Sequence, residues 1–494
     1  MTMTIFRTKS VEHSLEDTEA PEHRLRRRLS ALDLTVFGVG VIVGTGIFVL
    51  TGEVAKETAG PAVALSFIVA GVVCGLAALC YAEFASAVPV AGSAYTFSYA
   101  TVGEFPAWIV GWDLMLEMAL GAAVVAVGWS GYFSELLTTM GIRLPEAVAG
   151  ENAVFNVPAV VIVLILTWVL VAGIKLSARV NLIVVTIKVA VILLVVVAGL
   201  FFVSKANYTP FVPPAEATPK VGGLQAPLIQ LLFGITPVSF GVFGVFAGAA
   251  IVFFAFIGFD VVATAAEETR DPQRDLPIGI IGSLVVCTVL YVAVSLVVVG
   301  MRPYDRLSTE APLATAFREV GQPWLATIIS IGALAGLTTV VMILMLGQSR
   351  VFFAMSRDNL LPRSLATVHP HYGTPYRITL IIGGVTALLA GLIPLSALAE
   401  LVNIGTLFAF VLVSISVVIL RRTRPDLPRS FRTPLVPVVP ALAAVACLYL
   451  MVNLPVETWL RFFVWMLIGV VVYFAYGARH SRVAARETTR DATG

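Results

Sequence analysis

Charge is what this sequence lacks. Of its 494 residues only 13% are Asp, Glu, Lys or Arg, about half the share a soluble domain carries, and the mean hydropathy is +0.94. The charge that remains nearly balances at +2, which gives none of the basic excess that a nucleic-acid partner demands. Cysteine is scarce too. Cys74, Cys80, Cys287 and Cys447 all fall inside apolar segments, so neither a disulfide framework nor zinc-ligand spacing is present. The five histidines (His13, His23, His369, His371 and His480) fall in polar loops or tails. No nucleophile–base pair or metal cluster is legible, so neither enzyme chemistry nor a cofactor is expected. No cleavable signal peptide precedes the first apolar run, and that run is expected to act as its own insertion signal.

What is present is a succession of apolar runs, each long enough to cross a hydrocarbon core of about 30 Å as a helix. They are continuous rather than alternating, which excludes a β-barrel. The fold class is therefore an all-α polytopic membrane protein. Twelve transmembrane helices are expected, near 32–56, 62–84, 104–138, 157–173, 178–203, 245–267, 276–300, 323–349, 378–394, 396–420, 435–453 and 458–478. The third is too long for one tidy span and is expected to tilt or protrude. Residues 1–31 and 479–494 form polar tails. The longest connection, 204–244, is rich in proline and glycine, and a short surface helix is expected at its end, Gly234 to Gly244. Lys and Arg set the orientation. With the N-terminus inside, 23 of the 32 lie on cytoplasmic segments, 8 lie outside, and one, Lys188, lies within a span. Both termini are thus expected in the cytoplasm, anchored by Arg24, Arg26, Arg27 and Arg28 at one end and Arg479 and Arg482 at the other, in a cell membrane.

Two spans carry interruptions. The first contains Gly38, Gly40, Gly44 and Gly46 within Gly38-Val39-Gly40-Val41-Ile42-Val43-Gly44-Thr45-Gly46-Ile47-Phe48. Each glycine in a helix interior costs up to about 1 kcal/mol relative to alanine, so four together mark a place where the helix can unwind. Close helix packing through Gly40 and Gly44 is the alternative reading. A dinucleotide-binding reading fails, because no strand precedes these glycines. The sixth span reads Phe253-Phe254-Ala255-Phe256-Ile257-Gly258-Phe259-Asp260, again broken near its middle. Interrupted helices at matching positions of two five-helix sets point to an inverted-repeat transporter with its site at the breaks. Exposed N–H groups at one half-helix end attract a carboxylate and exposed carbonyls at the other attract an ammonium. A zwitterionic amino acid supplies both.

Lys188 sits nine residues beyond Arg179 in an apolar run, about 13 Å along a helix. Its stem could snorkel toward the interface; alternatively the side chain faces the bundle interior, where an ionisable group marks a proton or ion path. Asp113 and Glu117 are four apart on one face of the third span, and Asp260 follows the break in the sixth. Glu83, Glu267 and Glu268 end their spans and are expected to meet cytoplasmic water.

The glycine stretch of the first span, Tyr81-Ala82-Glu83-Phe84, Phe254-Ala255-Phe256-Ile257-Gly258-Phe259-Asp260, Ala266-Glu267-Glu268-Thr269 and Phe353-Ala354-Met355-Ser356-Arg357-Asp358 together resemble the amino acid–polyamine–organocation superfamily. Within it they look like the bacterial cationic amino acid transporter branch, over about residues 25–480. The resemblance implies the leucine-transporter fold. Helices 1–5 (32–203) and helices 6–10 (245–420) would form inverted repeats around the 204–244 connection, with two peripheral helices in 421–478. It implies that Gly44, Thr45 and Gly46 bind a substrate carboxylate through their backbone, and that Phe254 gates the site. Carbonyls of Ile42, Phe254, Ala255 and Ile257 would hold the amine, and Asp260 and Glu117 would be acidic positions near the pocket. Lys188 would take the place of a sodium ion, and Leu337 would make the side-chain pocket shallow.

The function these features imply is proton-coupled symport of L-amino acids, small neutral ones such as alanine, by alternating access. Its partners would be the substrate, protons and the lipid bilayer; any small membrane subunit stays unspecified. An amino acid or polyamine exchanger shares every feature except the coupling lysine. A membrane sensor is a third class, and neither short tail holds a signalling domain.

Overall fold

In the computed structural model the described residues are 29–87, 95–96, 98–99, 102–145, 147–150, 153–173, 178–217, 223–234 and 238–481. Arg24, Arg26, Arg27, Arg28, Arg482 and the side chain of Glu267 lie outside them. Among the described residues, eight helical stretches are long and apolar enough to cross a membrane, and four shorter apolar helices accompany them. The chain is a multi-pass helical membrane protein.

Its start is capped. Ser30 accepts from the Asp33 N–H, and the Asp33 carboxylate accepts from the Ser30 N–H at 2.9 Å, a reciprocal pair that satisfies two otherwise orphaned donors. Helix α1 (Ala31–Ile42) then runs until the glycines intervene. Past Val43 the chain resumes in a wide turn, Gly46–Leu50, then α2 (Thr51–Val54) and a second wide turn, Ala55–Ala59. Helices α3 (Val63–Ala87), α4 (Glu104–Thr139), α5 (Val157–Val171) and α6 (Ala178–Gly199) follow. At 36 residues, α4 is about 54 Å long, more than a bilayer core requires, as its apolar run implied.

The connection after α6 differs from expectation. Its short helix is α7 (Leu228–Phe233), before Gly234 rather than after it, and Glu216–Ala217 pairs antiparallel with Val238–Ser239. Gly234 adopts a left-handed conformation, φ +66°, which ends α7. The sixth expected span begins earlier, as α8 (Gly241–Val252), tightens at Phe253–Phe256, breaks, and resumes as the tight helix Asp260–Glu268. Then come α9 (Pro272–Met301), the unanticipated loop helix α10 (Pro312–Glu319), α11 (Pro323–Arg357), α12 (Tyr376–Leu392), α13 (Leu395–Thr423), α14 (Val438–Val452) and α15 (Val456–Val472). Helices α4 and α11 pack along each other, α9 packs on α1 and α3, and α13 packs on α4 and α14. Leu164, Trp168, Leu380, Leu448 and Phe463 point outward, the apolar exposure that lipid contact permits.

At the end of the bundle where α1 begins, buried polar groups tie the helices together. Glu83, expected to meet water, is instead fully buried. It accepts from Nε and Nη2 of Arg421 and from the Thr433 N–H, each at 2.8 Å, with Arg429 Nε at 3.5 Å. Buried charge is tolerated there because it is paired. Glu104 likewise accepts from Tyr99, Tyr473 and Ser481, joining the start of α4 to the end of the chain's last helices.

Candidate functional site

The two interruptions meet. Gly46 lies so close to Ala255 that a Cβ on Gly46 would overlap its Cα and Cβ, and a side chain there would force the two broken helices apart. Gly258 has φ +117°, a conformation that side-chain-bearing residues rarely adopt, and it turns the chain directly behind Val41. The close-packing reading of the first-span glycines also holds in part, since Gly40 lies against Val185 of α6. Tyr291 of α9 joins the breaks: its hydroxyl is 2.8 Å from the carbonyl of Ile42 and 2.8 Å from that of Ala255. Tyr132 donates to the Phe48 carbonyl at 2.7 Å, closing the part of the first interrupted helix beyond the break against α4.

Lys188 is buried, with 1% of its surface exposed, so the side chain does not snorkel. Its ammonium donates to the carbonyls of Gly40 at 2.6 Å and Val43 at 3.2 Å. These carbonyls lie at the point where α1 ends, and the unwound turn supplies acceptors to the buried cation. The stem passes over Gly336 of α11, where a Cβ would come within 2.8 Å of it.

A cavity of about 20 Å³ lies between the breaks, room for about one water. It is lined at the breaks by Val41, Ile42, Gly44, Thr45, Gly46, Phe254, Ile257, Asp260 and Val261, and from α4 and α11 by Glu117 and the apolar Met118, Val125, Val340 and Leu344 with Gly121. Eight of the residues singled out from the sequence thus surround one space. Three do not. Ala255 stands behind it, with its carbonyl engaged by Tyr291. Lys188 stands behind α1. Leu337 is fully buried away from the cavity; the α11 residues that reach it are Val340 and Leu344, one and two turns further on. Of the carbonyls expected to hold an amine, that of Phe254 also accepts from the Ile257 N–H at 3.2 Å.

The polar part of the lining is short of donors. Asp260 sits against the N–H groups of Gly258 and Val261 at the start of its helix, a favourable place for an acid. Its Oδ1, however, has no partner, and neither do Glu117 Oε2 and the Thr45 hydroxyl; Asp113, one turn before Glu117 and outside the lining, has no partner for either carboxyl oxygen. Sequence reasoning missed Tyr291, Val340 and Leu344. A tyrosine within an apolar span is a usable signal, because its hydroxyl must find a partner in a membrane interior; the two aliphatic residues carry none. A second, larger cavity of about 250 Å³ lies toward the opposite end of the bundle, bordered by Glu53, Asn156 and Glu310.

Residues 29–474 match the amino acid permease family. The chain is 49% identical over 488 residues to the branched-chain amino acid permease BcaP of Bacillus subtilis, covering 97% of this chain and 99% of that one. It is 46% identical over 483 residues to the methylthioribose transporter of the same organism, with 97% and 99% covered. It is also 38% identical to the vacuolar cationic amino acid transporter 4 of Arabidopsis thaliana over 82% of this chain and 65% of that one. The chain is a member of the amino acid permease family, within the amino acid–polyamine–organocation superfamily.

Proposed function

We propose that this protein is a proton-coupled symporter of neutral L-amino acids in a cell membrane. In this reading twelve helices cross the bilayer with both termini in the cytoplasm. Five and five form an inverted repeat, and the last two are peripheral. The observation that carries the proposal is the cavity at the meeting of two helix breaks, lined by backbone of both breaks, by Glu117 and Asp260, and by aliphatic side chains of α4 and α11. The backbone at Gly44, Thr45 and Gly46 accommodates a carboxylate, and Glu117 and Asp260 with the carbonyls of Ile42, Phe254 and Ile257 face an ammonium. Met118, Val125, Val340 and Leu344 receive an aliphatic side chain. About 20 Å³ does not hold an amino acid, so the structure corresponds to a closed form that must widen to load. Widening parts the bundle built on α1, α3 and α9 from that built on α4 and α11.

Protonated Lys188 steadies the first break through two carbonyls. Loss of its proton to the cytoplasm weakens that grip and frees the substrate inward. The 46% identity to a methylthioribose transporter makes a thioether sugar the second substrate to try. The test is uptake into proteoliposomes of labelled L-alanine, L-isoleucine and methylthioribose, with and without an inward proton gradient. Accumulation of an amino acid that depends on the gradient is expected. Gradient-independent counterflow alone would make the protein an exchanger, and uptake of methylthioribose alone would replace the substrate class.

A further inference from the structure

Asp113 is not used by the account above, and its surroundings are anomalous. It lies nine residues inside the start of α4 and one turn before Glu117. It is fully buried, and neither carboxyl oxygen has a hydrogen-bond partner. Its Oδ1 rests on Gly405 of α13, where a Cβ would lie 2.8 Å away, so a glycine keeps room for the carboxyl. Among the described residues no Lys, Arg or His of the helices packed on α4 (α5, α10, α11, α12, α13 and α15) donates to either of its oxygens. The titratable group nearest along its own helix is Glu117, one turn on, and beyond Glu117 stands Asp260 at the same cavity. A bare carboxylate in such a place costs several kcal/mol, and the neutral acid costs less, about 1–3 kcal/mol for its unmade hydrogen bonds.

We propose that Asp113 is a second proton-binding site of the transport cycle, distinct from Lys188. This inference rests on the symport reading given above. In the closed form the proton stays on Asp113 because no water or cation reaches it. When the inner end of α4 parts from α13 and α15, water enters past Glu104. The O–H bond of Asp113 then breaks, its proton passes to that water, and a hydrated carboxylate remains. Reprotonation follows from the outer side, through the space at Glu117, after the inner end has closed. One proton is bound and one released per cycle.

The discriminating variant is Asp113→Asn, an isostere that stays neutral throughout. In proteoliposomes clamped at zero voltage, with an inward gradient of about one pH unit, loss of one coupled proton lowers steady-state accumulation of L-alanine roughly tenfold. Alanine counterflow remains, since the fold and the cavity are unchanged. Asp113→Glu restores part of the accumulation. Wild-type accumulation in Asp113→Asn would overturn the proposal and leave Asp113 a packing residue. Infrared difference spectroscopy on wild-type protein gives an arm independent of transport. A protonated-carboxyl C=O band that disappears in Asp113→Asn supports the proposal, and its absence from the wild type overturns it. Should the wild type show no gradient-driven uptake, the symport reading itself falls, and the infrared band alone decides whether Asp113 holds a proton.

Discussion

Lys188 and the acids of α4 share one dry interior, and they are treated in opposite ways. The ammonium of Lys188 has two carbonyl partners, at 2.6 and 3.2 Å, because the unwound turn after α1 leaves acceptors without helical donors. Asp113 and Glu117, on an unbroken helix, have carboxyl oxygens with no partner. A helix break in a membrane therefore supplies what a cation needs, while an intact helix supplies nothing to an anion on its side. Asp260, at the start of a half-helix, lies between these cases, with N–H groups beside one part of its carboxyl. The acid at the bundle end, Glu83, shows what a settled carboxylate looks like here: two arginines and a backbone N–H surround it.

That contrast sets the expected effects of substitution. Glu83→Gln strips a charge from beneath Arg421 and Arg429 and should cost about 3 kcal/mol of stability, read as a lowered unfolding midpoint in detergent. An unchanged midpoint would mean that the bundle end is not held by this cluster. Tyr291→Phe removes the hydroxyl between the two breaks. It should weaken substrate binding by about tenfold, the worth of one buried hydrogen bond of about 1.4 kcal/mol; calorimetric titration with the transported amino acid checks it. Leu344→Ala deepens the apolar part of the cavity and should shift preference toward bulkier side chains by roughly fivefold, about 1 kcal/mol, measured as competition between L-isoleucine and L-alanine. Glu117→Gln replaces an acid with one unpartnered oxygen by a neutral isostere. Its unfolding midpoint should stay within about 0.5 kcal/mol of the wild type, the opposite of Glu83→Gln. A large loss at Glu117 would show that this acid is charged and paired, and the contrast would collapse.

Much of this was legible in the sequence, for reasons that can be named. The glycine cluster at 38–46 and the Phe256-Ile257-Gly258 step announced both breaks, because helix interiors penalise glycine and membranes forbid loose backbone elsewhere. Lys188 stood out because it is the one basic residue far from either end of a span. Its carbonyl partners, Gly40 and Val43, 148 and 145 residues away, were not named from the sequence, because a contact between two spans leaves no local pattern. Helix faces were less legible. Leu337 was chosen on α11, but Val340 and Leu344 face the cavity; a helix that is apolar all round gives no periodicity from which to read its rotation. The fate of Glu83 was hidden because its partners come from α13 and the loop after it, 338 residues on. The short helix α7 was displaced from its expected place because glycine and proline mark where helices stop, and Gly234 ends one rather than begins one.

The central claim is that Lys188 couples a proton to the first helix break. Accumulation of L-alanine driven by an inward proton gradient, compared between wild type and Lys188→Ala in the same liposomes, tests it most directly. The account predicts that, at zero voltage and an inward gradient of about one pH unit, Lys188→Ala accumulates roughly tenfold less alanine than the wild type while still exchanging it, any remaining response to the gradient being the one carried by Asp113. Gradient-driven accumulation in Lys188→Ala equal to the wild type, with unaltered pH dependence, would contradict it.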